Sequence, residues 1–227
     1  MVTPRNRKTR IENRWPVARE GLPFIAAGAV LTGIPALLGW AVPALVLGFL
    51  TCFVVTFFRD PERTPDAFEG AVISPADGKV LTAVVREDDR NPLGRPCAQV
   101  SIFMSLFNVH VNRMVASGTV KEIRYHPGRF FSADLDKASE ENERSGLILE
   151  TADGRTLAVV QVAGLVARRI ACWVKPGDRP IRGQRYGLIR FGSRLDVFMP
   201  EDTDIVVKPG DKVRAGESVL AHLNPQG

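Results

Sequence analysis

The polarity pattern first separates an uncharged N-terminal segment from the rest of the chain. From Gly21 to Phe58, 38 residues contain no charged side chain. A single helix of that length would measure about 57 Å, nearly twice the ~30 Å hydrocarbon core of a bilayer. The break Gly39–Pro43 leaves apolar stretches of about 18 and 16 residues, each marginal for spanning. We predict a membrane-attached helical hairpin, either spanning or re-entrant. The alternative is a buried hairpin in the core of a soluble protein.

Basic residues flank this segment on both sides. Six lysines and arginines precede Gly21, and Arg59 and Arg63 follow Phe58. The positive-inside rule therefore places both ends, and the domain that follows, on the cytoplasmic side of the cell membrane. The run is too long for a secretory signal peptide and lacks a small-residue cleavage site. Most of the net charge of +5 lies in the tail rather than on a folded face, so we expect no nucleic-acid partner.

Beyond residue 58 the pattern changes to short β-branched runs separated by Gly, Pro and Asp turns. We predict a basic tail (1–20), the apolar hairpin (21–58), a polar linker (59–70) and a mainly β, α+β domain (71–227). Its architecture is expected to be a compact β-sandwich of the barrel-sandwich-hybrid type. A helix is predicted near Lys137–Arg144, and a hairpin at the turn 152–155. The strand candidates are Lys79–Val85, Gln99–Met104, Thr119–Tyr125, Leu147–Glu150, Thr156–Val162, Arg169–Val174, Leu195–Met199 and Val219–Leu223.

An internal repeat supports the sandwich. Val174–Asp178 and Val207–Asp211 share the sequence Val-Lys-Pro-Gly-Asp, and Gly183 and Gly216 follow at the same offset. This turn pattern is typical of lipoyl and biotinyl domains. It leaves open a membrane-anchored, lipoyl-like carrier with Lys137 as the modified residue, although the charged sequence after Lys137 indicates a solvated helix start instead.

The cysteines exclude two classes of small domain. Cys52, Cys97 and Cys172 are few, odd in number and widely spaced, with no Cys-x-x-Cys motif. Neither a disulfide framework nor a zinc module is expected, and we predict no metal site.

Three separate motifs could carry chemistry. In Asn108–Asn112, alternation places His110 and both asparagines on one face of a strand. Asp77 lies in a turn sequence, and Ser193 follows Gly192 at a strand entrance. A histidine oriented by a carboxylate can activate a serine hydroxyl. Each residue also has a structural explanation: a satisfied core histidine, an Asx-turn acceptor and a common Gly-Ser pair.

Taken together, these residues resemble the short, membrane-associated form of phosphatidylserine decarboxylase, a pyruvoyl-dependent enzyme family. The resemblance runs from about Ser74 to Leu223. The segments that carry it are Pro75–Gly78, Phe107–Arg113, His126–Gly128, Leu135–Arg144, Gly164–Ile170 and Leu188–Arg194.

The resemblance implies a proenzyme that cuts itself between Gly192 and Ser193 and thereby forms two chains, 1–192 and 193–227. Ser193 would become a pyruvoyl group, the covalent pyruvate cofactor, which forms a Schiff base with phosphatidylserine and releases CO2 and phosphatidylethanolamine. Asp77, His110 and Ser193 correspond to the self-cleavage triad. The implied assembly is a heterodimer of the two chains, open to further oligomerisation.

The chain departs from the long form of the family at two points. Its cleavage site reads Phe-Gly-Ser-Arg where the long form has Leu-Gly-Ser-Thr. Phe107 stands where the long form has a second histidine, so the decarboxylation role of that histidine does not transfer. A decarboxylase acting on another serine-headed lipid, of the archaetidylserine type, is the alternative within the same chemistry.

Overall fold

The chain divides into two compact units. The computed structural model describes residues 11–13, 15–65, 68–89, 91–132, 141–165, 170–190 and 192–224. One unit, the helical unit, spans Glu12–Glu62, and the other, the β unit, comprises Met1–Ile11 and Arg63–Gly227.

The helical unit is an apolar hairpin of two α-helices. After a 3-10 turn at Arg19–Gly21, helix α1 spans Leu22–Leu37 and helix α2 spans Ala41–Phe57. Gly39 reverses the chain between them with φ +74°, a conformation that favours glycine. The two helices contact through Thr32 and Thr51, whose hydroxyl oxygens lie 3.1 Å apart. The predicted pair of helices is confirmed.

The surface of the helical unit is strongly apolar. Leu37, Leu45 and Phe49 are 90%, 74% and 76% exposed. The segment Arg19–Leu37 is long and apolar enough to cross a membrane by length and composition, and Ala41–Phe57 is shorter. At 1.5 Å per residue, α1 and α2 are about 24 and 26 Å long, somewhat less than a ~30 Å hydrocarbon core. A surface of this kind is typical of a membrane or protein contact.

The β unit is built from short strands, as the alternating pattern predicts. The strands within the described residues are β1 (Ala71–Ile73), β2 (Gly78–Arg86), β3 (Cys97–Met104), β4 (Val111–Arg113), β5 (Thr119–His126), β6 (Arg144–Glu150), β7 (Thr156–Ala163), β8 (Ile170–Cys172), β9 (Arg185–Ile189), β10 (Ser193–Pro200), β11 (Asp204–Ile205), β12 (Lys212–Val213) and β13 (Val219–His222).

These strands form three antiparallel sheets. The large sheet has the order β12-β2-β3-β10-β7-β6-β5, and the smaller ones are β1-β13-β11 and β4-β9-β8. One face of the large sheet supplies the core, with alternate residues such as Leu157, Leu195 and Val197 fully buried. Burying each such side chain contributes about 1.5–3 kcal/mol. The mainly β prediction is confirmed.

The predicted repeat is present in three dimensions. In both copies the aspartate accepts a hydrogen bond from the lysine amide, Lys175 to Asp178 and Lys208 to Asp211, each at 2.9 Å. The glycine amides of the two turns then donate to β5 and β2, at the carbonyls of Val120 and Val80. The two turns therefore dock in equivalent ways on two strands of the large sheet.

Two local predictions are corrected by the structure. The strand predicted over Asn108–Asn112 is limited to Val111–Arg113, because Asn108 closes a turn with Ser105. The helix predicted to reach Arg144 does not do so, since Arg144 begins β6. Residues 133–140, with Lys137, lie outside the described residues. The predicted hairpin at the turn 152–155 is confirmed as β6 and β7.

Candidate active site

Asp77 lies in a tight turn that leads into β2. The hydroxyl of Ser74 donates to the carbonyl of Ala76 at 2.7 Å and closes the turn. At Gly78, a Cβ would come within 2.1 Å of the Phe103 carbonyl oxygen, so only glycine allows β2 to approach β3 here. The turn therefore holds Asp77, which is 8% exposed, at the edge of the core.

The Asp77 carboxylate accepts several hydrogen bonds. Arg63 donates from Nη1 to Oδ1 at 2.5 Å and from Nη2 to Oδ2 at 2.9 Å, and the Ala215 amide donates to Oδ1 at 2.9 Å. Burial alone would raise the pKa of Asp77, but these bonds and one from the Val109 amide outweigh it and hold the pKa below its usual 3.8. Asp77 is therefore ionised at neutral pH.

His110 immediately follows Val109 and is 1% exposed. Its Nδ1 lies 2.9 Å from the carbonyl oxygen of Asn108. A carbonyl only accepts hydrogen bonds, so this contact places the proton on Nδ1 and leaves the lone pair of neutral imidazole on Nε2. The Asn108 side chain is itself fixed, because its Oδ1 accepts bonds from the amide and hydroxyl of Ser105 at 2.8 and 2.7 Å. His110 is thus prepared to act as a base through Nε2.

Ser193 is the first residue of β10 and is fully buried. It lies opposite Met104 on β3 and Ala163 on β7. Its hydroxyl contacts the Met104 sulfur at 3.4 Å, a weak acceptor that does not compete strongly with a base. Gly192 precedes it with φ +64°, and a Cβ there would meet nothing within 4 Å. A side chain at position 192 would therefore meet no steric clash, and the left-handed backbone alone favours glycine here.

The sheets bring the segments of His110 and Ser193 together. The carbonyl of His110 accepts a bond from the amide of Ile189 at 3.4 Å, four residues before Ser193. The Met104 sulfur also contacts the side-chain amide of Asn112 at 3.8 Å, and Asn112 accepts a bond from Gln161 at 2.8 Å. Asp77 joins the same region through Val109. The three residues that the sequence singled out therefore belong to one neighbourhood of the β unit.

Sequence reasoning missed three residues of this neighbourhood, Arg63, Met104 and Gln161. Arg63 falls in the predicted linker 59–70, and Met104 and Gln161 fall in predicted strands. Asn112 was placed on the face of His110, but its partners could not be predicted. The signal for Met104 and Gln161 is their register opposite β10, which depends on the sheet order.

A metal centre has no candidate in the described part of the chain. No group of three or more His, Cys, Asp or Glu side chains there could hold a metal ion.

Comparison with known proteins supplies a family. The sequence model described as phosphatidylserine decarboxylase matches residues 50–221. A phosphatidylserine decarboxylase proenzyme of Syntrophus aciditrophicus is 51% identical over 209 residues, covering 90% of this chain and 96% of the relative. Proenzymes of the same name from Geobacter metallireducens and Pelobacter propionicus are 50% and 52% identical, and each alignment covers 92% of this chain and 97% of the relative. With the matched region containing Asp77, His110 and Ser193, the chain belongs to the phosphatidylserine decarboxylase family.

Proposed function

We propose that this protein is a self-processing, membrane-bound decarboxylase that converts phosphatidylserine to phosphatidylethanolamine and CO2. The observation that carries the processing step is the pair Gly192 and Ser193, an open left-handed glycine followed by a buried serine at the start of β10. Membership of the decarboxylase family supports the reaction.

In the proposed cleavage, the Ser193 hydroxyl oxygen attacks the carbonyl carbon of Gly192. His110 takes the hydroxyl proton on Nε2, the nitrogen that its Asn108 contact leaves as the base. The peptide C–N bond breaks as protonated His110 returns the proton to the Ser193 nitrogen, and an ester bond between the Gly192 carbonyl and the Ser193 oxygen replaces it. Elimination then releases the Gly192 carboxylate and leaves dehydroalanine at position 193, which water converts to a pyruvoyl group with loss of ammonia.

Asp77 supports this step through its charge and its position. A carboxylate close to a histidine favours the protonated form of the ring, and the bond that Asp77 accepts from the Val109 amide restrains the segment that carries His110. In this mechanism Ser193 is the nucleophile, His110 is the general base, and Asp77 supplies a negative charge and restrains the segment of the base.

The buried start of β10 fits the generation of a pyruvoyl group in place, since Ser193 needs no separate cofactor pocket. The pyruvoyl group supplies a carbonyl that takes up the substrate amine and draws electrons from the bond to the departing carboxylate. Ser193 and its neighbour Met104 are both fully buried in the chain before cleavage.

The experiment that tests the proposal is a denaturing gel with intact-mass measurement. Purified protein should consist of residues 1–192 and a chain of 35 residues, 193–227, whose blocked N-terminus resists Edman sequencing. Ser193→Ala should remain at full length and inactive, because it lacks both the nucleophile and the precursor of the ketone. A full-length wild-type chain with intact decarboxylase activity would refute the pyruvoyl mechanism.

For the helical unit we propose attachment to the cell membrane with both ends in the cytoplasm. Exposed apolar side chains on α1 and α2 support attachment, and the basic flanks support the orientation. A water-insoluble lipid substrate agrees with a site held at the bilayer surface. Reporter fusions at residue 15 and at the C-terminus should both report cytoplasm, and a periplasmic C-terminal signal would overturn the orientation.

A further inference from the structure

Arg63 is a buried arginine that directly follows the helical unit in sequence. It is the first residue of the segment Arg63–Gly227 of the β unit. Its side chain is 9% exposed, and Nη1 and Nη2 form a two-pronged contact with both oxygens of Asp77. Nη1 also donates to the Ala215 carbonyl at 2.8 Å, and Nε lies 3.8 Å from Glu217. A planar guanidinium can satisfy these acceptors together, whereas a lysine ammonium cannot reproduce the fork.

The contacts of Arg63 close a ring of hydrogen bonds around Asp77. Ala215 donates its amide to Asp77 and offers its carbonyl to Arg63, so each of the three residues bonds to the other two. Such a ring leaves the Asp77 carboxylate little freedom to rotate. The same carboxylate accepts the bond from Val109, next to His110.

We propose that Arg63 is a positioning residue for self-cleavage, which acts through Asp77 to orient the carboxylate beside the His110 segment. This inference rests on the proposed function. Nothing about Arg63 requires contact with the scissile bond. Its effect passes from the guanidinium to Asp77 and from Asp77 to the segment of the base.

The first test is the rate of self-cleavage of Arg63→Ala. Chains are made by cell-free translation with labelled methionine, translation is stopped, and conversion of the full-length chain to residues 1–192 is followed on gels. We expect cleavage to slow roughly 10- to 100-fold, the range that loss of an orienting, charge-assisted contact produces in a rate. Arg63→Lys keeps the charge but not the two-pronged geometry. Its cleavage rate should lie between those of the wild type and Arg63→Ala.

The matched control is Arg214→Ala. Arg214 lies in the same turn as Ala215 and pairs with Glu217 at 3.7 Å, but its side chain is 76% exposed. Exposed pairs of this kind contribute little, so this variant should cleave at the wild-type rate.

The pH dependence separates positioning from a general loss of structure. Arg63 contacts both oxygens of Asp77, Glu217 lies 3.8 Å from the Nε of Arg63, and the Val109 amide links Asp77 to the segment of His110. Removing Arg63 takes away two of the influences that lower the Asp77 pKa, so the carboxylate of the variant becomes protonated at a higher pH than in the wild type. The ratio of variant to wild-type cleavage rate should therefore drop as the pH is lowered.

A double variant gives the decisive comparison. If Arg63 acts only through Asp77, then Arg63→Ala combined with Asp77→Asn cleaves no more slowly than Asp77→Asn alone. Additive slowing, a rate ratio that is flat with pH, or wild-type cleavage by Arg63→Ala and Arg63→Lys would each overturn the inference. Should Arg63→Ala fail to fold, judged by circular dichroism, the pH ratio and double variant are measured with Arg63→Lys.

The failure of this inference is distinct from failure of the proposed function. If wild-type chain is not cut between residues 192 and 193, the proposed function fails. If wild-type chain is cut and Ser193→Ala is not, but the Arg63 variants cleave normally, only the role of Arg63 is refuted.

Discussion

Replacing Gly192 by alanine isolates the backbone conformation at the proposed cleavage site. Gly192 has φ +64°, and an added Cβ would meet nothing within 4 Å, so the change introduces strain without a steric clash. Holding an L-residue in this left-handed conformation costs about 1–2 kcal/mol. If cleavage proceeds from the observed conformation, this cost lowers the population of that conformation. The cleavage rate then falls with it, by roughly 5- to 30-fold.

The assay is the same translation and gel measurement of residues 1–192. Gly192→Asn should be slowed less than Gly192→Ala, because asparagine tolerates the left-handed region. Gly154→Ala is the matched control: Gly154 has φ +82° with nothing within 4 Å, but it lies in the β6–β7 turn, at the far end of β7 from Ala163, the partner of Ser193. The Gly154→Ala variant should lose about as much folding stability as Gly192→Ala, but should cleave itself at the wild-type rate.

The result that refutes this reasoning is specific. If Gly192→Ala cleaves as fast as wild type, the left-handed conformation has no part in the reaction. If asparagine slows cleavage more than alanine, side-chain bulk near the carbonyl, rather than backbone strain, controls the rate.

Three further predictions concern the same site. His110→Ala should lower the cleavage rate by about 10²- to 10⁴-fold, the usual contribution of a general base. The control His126→Ala, at an exposed histidine, should cleave normally on gels. Normal processing of His110→Ala would remove His110 from the mechanism. Because the folded pKa of Asp77 is lowered, its contribution to stability is present above its unfolded pKa of about 3.9 and is lost as the pH falls through the folded value. Denaturant titrations of uncut Ser193→Ala should therefore lose less stability on acidification when Asp77→Asn is added, and an unchanged loss would contradict this. Met104→Leu keeps the core volume and should lower the free energy of unfolding, measured with denaturant, by less than about 1.5 kcal/mol. It should alter the cleavage rate, because it removes the sulfur that the Ser193 hydroxyl contacts. An unchanged rate would make Met104 purely structural.

Much of the fold could be predicted because its signals are local. The charge-free run after Gly21, broken at Gly39, predicts two helices regardless of what surrounds them. Alternation over strands of seven to nine residues, as in β2 and β6, identifies strands, and the two Val-Lys-Pro-Gly-Asp turns carry their own hydrogen-bonding aspartates. Strands of two or three residues, such as β1 and β11, are too short for alternation to mark them.

The candidate residues of the site could be named from sequence, but their partners could not. The sequence predicts Asp77 as a turn residue and a member of the triad, yet the structure pairs its carboxylate with Arg63, which the polar composition of residues 59–70 places in a linker. His110 was expected on a polar strand face, whereas a turn closed by Asn108 sets its orientation and its tautomer.

The sequence by itself therefore determined the two-part organisation, the mainly β character and the residue types available for chemistry, because hydrophobic periodicity and turn propensity act between neighbours in the chain. Tertiary structure alone decided that Ala215, 138 residues from Asp77, donates to its carboxylate, and that Ser193 faces Met104. Such contacts depend on strand order and register across the large sheet, where hydrogen bonds join residues far apart in sequence.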